Sequence, residues 1–155
     1  MKAETISLQR DQIDRQLKPL RQARPVRPFR GWVRAVREAL GLNGRQLAER
    51  MKIARSHVSQ IEDAEVRGAV SIRTLQRAAD ALGCDLVYAL VPRDGKTLEI
   101  LLHERAQKVA ERRVGRTAVT MALEDQAVSR DFRKREVGRI TAELVRTMSK
   151  DLWDE

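Results

Sequence analysis

Cysteine is almost missing from this 155-residue chain. Cys84 stands alone, so no internal disulfide can staple the fold, and a reducing, cytoplasmic setting is expected. Just ahead of a short candidate strand, it reads as a small packed side chain rather than a redox sensor. Aromatic residues make up only 3%, so a core must be assembled from Leu, Val, Ile, Ala and Met, a palette that favours helices. No apolar run approaches the roughly 20 residues of a membrane span, and Met1–Leu8 lacks the hydrophobic stretch of a signal peptide. With two histidines and one cysteine, there is no base–nucleophile pairing to propose, and neither a glycine-rich phosphate loop nor a metal-ligand cluster is present. His103 sits on a helix without a nearby Cys or His, which leaves zinc unsupported. The expectation is a protein that is not an enzyme and carries no cofactor and no metal.

Acidic residues are also missing between Asp14 and Glu38, and basic ones are in excess throughout. The formal charge is +9, and such an excess attracts polyanions through steering and counterion release. Nucleic acid is therefore the first partner class to consider, against the plainer reading of a solubilising basic surface.

Apolar spacing divides the chain. Ile6, Ile13 and Leu17 outline a short helix over Met1–Lys18. Pro19, Pro25 and Pro28 then favour an extended linker punctuated by Lys18, Arg21, Arg24, Arg27 and Arg30, a basic arm suited to phosphates or simply to solvent. From Phe29 a helical period begins: Trp32, Val33, Val36, Ala39 and Leu40 share a face, with Gly41 as the stop. Asn43 is the expected N-cap of a second helix whose Leu47, Ala48 and Met51 face inward. A third segment, Arg55–Glu62, buries Val58 and Ile61. A fourth starts at Ser71 and ends at Gly83. Asp85–Val91, partly β-branched and closed by Pro92, reads as a short strand in need of a partner. Thr97–Arg113 and Thr117–Ala127 return to helix on either side of a break near Gly115. The last helix begins at Ser129 and carries the stripe Val137, Ile140, Leu144, Met148 and Leu152, which must pack on a neighbour or another chain.

Residues 42–62 hold the strongest pattern. Small Ala48 permits two helices to cross closely, Ile53 plugs the turn, and Val58 and Ile61 anchor the second helix, as a helix-turn-helix demands. Polar residues are left facing outward at the front of that second helix, which is what base edges in the major groove require. Arg55, Ser56, Ser59 and Gln60 are the candidate base readers. Asn43, Arg45, His57, Arg67 and Arg73 are candidate phosphate ligands that would set register without reading sequence. For each of these the competing reading is a free surface side chain.

On Leu42, Leu47, Ala48, Ile53, Val58, Ser59, Ile61 and Glu62, the chain resembles the lambda-repressor-like (Cro/Xre) helix-turn-helix proteins over about residues 29–92. Three positions depart from that pattern: Gly44 where a Gln usually braces a phosphate, Lys52 in place of the turn glycine, and Ala54 in place of the capping Ser/Thr. The resemblance implies that Glu62 pairs with an arginine inside the domain, with Arg37 the candidate. More narrowly, Trp32–Leu40, Gly83–Pro92, Thr120–Gln126 and Leu152–Asp154 resemble the mobile mystery protein A family over nearly the whole chain. Members of that family are typically encoded beside a Fic-domain protein, which implies a toxin–antitoxin-like pair with this chain as antitoxin and autorepressor. Fic inhibitors often carry Ser/Thr, three residues, then Glu. Thr120 and Glu124 have this spacing and would share one helical face, although Asp125 follows where Gly or Asn is usual.

The sequence thus predicts a mainly α fold: an N-terminal helix and basic Pro-rich arm (1–28), a lambda-repressor-like helix-turn-helix domain ending in one short β-strand (29–92), and a C-terminal helical extension for dimerisation or partner binding (93–155). The expected partners are double-stranded DNA with a pseudo-palindromic operator, a second copy of the chain, and a Fic-domain toxin. Two alternatives stay open: a standalone mobile-element regulator, and a toxin inhibitor without specific DNA binding.

Overall fold

A computed structural model describes residues 3–23, 25–123 and 129–154. Among them are seven α-helices and no strand: α1 (Ala3–Ala23), α2 (Trp32–Ala39), α3 (Gly44–Met51), α4 (Arg55–Val66), α5 (Ile72–Leu82), α6 (Leu98–Leu123) and α7 (Arg130–Thr147). Single 3₁₀ turns lie at Arg93–Gly95 and Lys150–Leu152. The helices belong to two compact units, Arg24–Ala89 and the combination of Met1–Ala23 with Leu90–Glu155.

In the Arg24–Ala89 unit, α2 to α5 close on one core. Leu47 and Ala78 are fully buried, and Val33, Ala48, Met51, Val58 and Leu82 surround them. Half-buried Leu42, Ile53, Ile61 and Leu75 complete the packing. Helices this short are marginal alone, so their stability comes from this shared face. Their ends are nevertheless set locally. Asn43 makes a full capping box: its side chain accepts from the Gln46 N–H at 3.0 Å, and its own N–H donates to Gln46 Oε1 at 2.8 Å. Ser71 accepts from the Thr74 N–H. Gly83 ends α5 in the left-handed conformation, with Cys84 N–H returning to the Ala79 carbonyl.

The other unit is built on α6 and α7. Leu102, Ala106, Val109, Leu144 and Leu152 form its core, with Ile140, Val145 and Met148 against them. Much of the expected α7 stripe is therefore used within the chain. Its last member, Leu152, comes from the 3₁₀ turn, because α7 ends where Met148 turns left-handed at φ 49. Helix α1 packs on α6 in this same unit. Asp14 accepts from the Leu98 and Glu99 N–H groups, capping α6 across the fold, and Arg21 reaches Asp14 at 3.3 Å.

Three local expectations are corrected. Asp85–Val91 forms no strand: its β-rich composition has no second segment of the chain to pair with. Helix α1 does not stop at Lys18 but continues through Pro19 to Ala23. Pro19 removes the bond to the carbonyl of Arg15, and both residues are on the exposed side of a helix that Leu17 anchors. No break occurs at Gly115: the buried row Ala110, Val114, Ala118 runs across it, and α6 is continuous.

Candidate DNA-reading surface

The helix-turn-helix is α3 and α4 with the turn between them. Lys52 takes the left-handed position there, at φ 57, ψ 46. An L-residue is strained in this region by about 1–2 kcal/mol. Ala54 follows as the N-cap of α4, in the extended conformation that a capping residue needs, but with no side-chain oxygen to offer. Ala54→Ser should therefore stabilise the domain by about 1 kcal/mol. Lys52→Gly should do likewise, less the entropy of glycine in the unfolded chain. Midpoints of urea unfolding would test both.

Behind α4 the anchoring is dense. Val58 is 2% exposed and Ile61 packs on the same core. Glu62 is buried and held by Arg37 of α2: Nε donates to Oε1 at 2.7 Å and Nη2 to Oε2 at 3.2 Å, while Nη1 donates to the Leu42 carbonyl at 2.9 Å. Hydrogen bonding to Glu62 raises the Arg37 guanidinium above its ordinary pKa, against the opposing effect of burial. One turn later Glu65, also buried, accepts from the backbone N–H groups of Trp32 and Val33. Two carboxylates of α4 thus lock it to α2, and every described buried side-chain polar atom has a partner.

The opposite face of α4 is open. Arg55, Ser56, His57, Ser59 and Gln60 are all exposed, and the packing of Val58 and Ile61 turns them outward as a row. Among the described residues none of these five side chains makes a hydrogen bond, so their donors and acceptors are available to a ligand. The other candidate ligands are more dispersed. Asn43 is exposed but spends its side chain on the cap. Arg45 is paired with Glu49 at 2.6 Å, Arg67 reaches back to the Asp63 carbonyl, and Arg73 stands exposed on α5.

Two features escaped the sequence reading. A groove of about 510 Å³ runs beside α4, with His57 and Gln60 on one wall and Ser71, Thr74 and Arg77 on the other. His57, Gln60 and Ser71 were named from the sequence; of Thr74 and Arg77, which were not, Arg77 offered a signal in its charge, one helical turn beyond Arg73. Asp63, exposed one turn beyond Ser59, adds an acceptor to the outward row.

A family model described as Helix-turn-helix matches residues 33–88. This part of the chain is a helix-turn-helix domain of the Cro/C1 type. Such a domain implies DNA as a partner and a role as a sequence-specific transcription regulator, and its family is typically not enzymatic. No curated protein and no solved structure matches the chain. No group of His, Cys, Asp and Glu able to hold a metal occurs among the described residues, and no described helix is long and apolar enough to cross a membrane. In the helix-turn-helix the fully buried Leu47 and the Ala48–Val58 packing explain why its two helices keep one geometry.

In the other unit, Thr120 is exposed and its hydroxyl donates to the Arg116 carbonyl of its own helix. Glu124 lies outside the described residues.

Proposed function

We propose that the chain is a transcriptional repressor that reads a pseudo-palindromic operator as a homodimer, α4 entering the major groove with a second α4 roughly 34 Å away. The observation that carries this reading is the outward row Arg55, Ser56, Ser59 and Gln60 on a helix held from behind by Val58 and Glu62. Arg55 suits guanine O6/N7 and Gln60 suits adenine N6/N7. Asn43, Arg45, His57, Arg67 and Arg73 would hold phosphates and fix register. Footprinting on the promoter of its own gene tests the reading, and no protected stretch even at low salt would overturn it. A bidentate contact contributes about 1–3 kcal/mol of discrimination. Arg55→Ala should therefore weaken operator binding by roughly 10- to 100-fold with little change on random DNA. Equal loss on both would make Arg55 a phosphate contact.

The resemblance to mobile mystery protein A supports a finer reading, an antitoxin and autorepressor paired with a Fic-domain protein. In that pair Thr120 and Glu124 would face the toxin. Glu124→Ala should release the partner's activity, and unchanged inhibition would dismiss that role.

A further inference from the structure

The segment Asp85–Val91, which leads out of the helix-turn-helix domain, leaves its peptide groups open. Among the described residues, no hydrogen bond uses a backbone N–H or carbonyl between Asp85 and Val91. Three of its apolar side chains are open as well: Val87 is 75% exposed, Tyr88 71% and Leu90 93%. A run of unpaired peptide groups with β-branched and aromatic side chains is a template for another strand.

We propose that this segment pairs, antiparallel and centred on Tyr88, with the same segment of a second copy, and that this pairing closes the dimer. The inference rests on the repressor reading above, which requires two reading helices, and it names the surface that joins them. Three features select a second copy rather than a foreign strand. The segment is bounded by Gly83, where α5 ends, and by Pro92, which has no N–H to continue a ladder. In the Tyr88-centred register Cys84 of each copy lies opposite Pro92 of the other, so both boundaries coincide. The same register sets Leu86 opposite Leu90 beside the Tyr88 pair on one face, and Val87 opposite Ala89 on the other. Around the two-fold axis apolar residues thus meet apolar ones on both faces, as a two-fold interface requires, and only the outer pair sets Asp85 against Val91. Finally, Asp85 falls diagonal to Arg93 of the second copy, opposite charges within reach of a long side chain.

A two-stranded ribbon alone is marginal in water. Here the segment starts over an apolar groove of about 360 Å³, lined by Trp32, Val36, Leu75, Leu82, Leu86 and Val87. That groove gives the ribbon a floor.

Sedimentation equilibrium of the full chain, with wild type, Val87→Lys and Leu90→Lys, tests the proposal. Both positions are open in the single chain, so helix content by circular dichroism should be unchanged, whereas the dimer dissociation constant should rise at least tenfold. Register is tested in a Cys84→Ser background. Tyr88→Cys should give a disulfide-linked dimer on mild oxidation, since directly opposed residues lie about 4.5–5.5 Å apart. Val87→Cys should not, since its copies are diagonal at about 7–8 Å. Dimers indifferent to both lysines, or a wild type that stays monomeric, would overturn the proposal. A dimer that is indifferent to both lysines and still protects an operator would sink this inference and leave the repressor reading standing. A lysine-sensitive dimer that protects no DNA would do the reverse.

Discussion

Arg37→Met should cost the helix-turn-helix domain about 3 kcal/mol, because the buried Glu62 carboxylate loses both hydrogen bonds and keeps only the more distant Arg34, 3.9 Å from Oε2, as a nearby cation. The size follows from the geometry. Both carboxylate oxygens of Glu62 are engaged by one guanidinium, and the two side chains are only 10% and 6% exposed. Removing the guanidinium takes away the only side-chain hydrogen bonds that Glu62 accepts among the described residues, and also frees the Leu42 carbonyl that Arg37 holds between α2 and α3. The pair as a whole is a different matter, since desolvation offsets much of its attraction. Arg37→Met combined with Glu62→Leu should therefore recover most of the loss. The chain has two units, so one global transition cannot be assumed. Trp32 lies in the helix-turn-helix unit and Trp153 in the other. In a Trp153→Phe background, fluorescence during urea unfolding reports on the domain that carries the mutation. A loss below about 1 kcal/mol would mean that Glu62 finds Arg34 or water when Arg37 leaves, and that α4 is held by its apolar contacts and Glu65. In that case the reading face should keep its DNA affinity in Arg37→Met.

What could be read from the sequence divides along the range of the interactions. The helices of the helix-turn-helix, their inward faces and their caps at Asn43 and Ser71 follow from spacing and side-chain chemistry within a few residues. These are the signals a sequence displays directly. The outward position of Arg55, Ser56, Ser59 and Gln60 follows from the same period once Val58 and Ile61 are buried. Asp85–Val91 misleads for the opposite reason: strand propensity is local, but a strand exists only through a partner. Pro19 and Gly115 misled as breakers because each costs one residue's worth of helix. Buried Ala110, Val114 and Ala118 hold α6 on both sides of Gly115, and buried Leu17 holds α1 beside Pro19. Least legible were the long-range caps. Asp14 serves the first turn of α6 and Glu65 the first turn of α2, and nothing near either carboxylate in sequence marks the helix it completes. The grouping of α1 with the C-terminal helices depends on just such a contact.

Gly31→Ala should be nearly as damaging as the loss of Arg37, although it adds only one methyl group. Gly31 is the N-cap of α2, at φ 81, ψ 163, a conformation that is essentially reserved for glycine and costs other residues about 1–3 kcal/mol. A Cβ there would also sit 2.7 Å from Glu65 Oε2 and 2.9 Å from its Cδ. That carboxylate cannot swing away freely, because it accepts from the Trp32 N–H at 2.6 Å and the Val33 N–H at 3.0 Å. It also supplies negative charge at the positive end of α2. Losing the cap removes about 1 kcal/mol more. A double-mutant cycle separates backbone strain from collision. If the collision matters, Glu65→Ala should remove it, so the double variant should be less destabilised than the sum of Gly31→Ala and Glu65→Ala. Strict additivity would assign the whole Gly31 effect to its dihedral angles. The consequence reaches the reading face, since Glu65 is one turn beyond Glu62 on α4. Whatever loosens its hold on α2 frees the end of the helix that presents Ser59 and Gln60. Gly31→Ala should thus weaken operator binding through the orientation of α4 while leaving the salt dependence of binding unchanged, because no phosphate contact is lost.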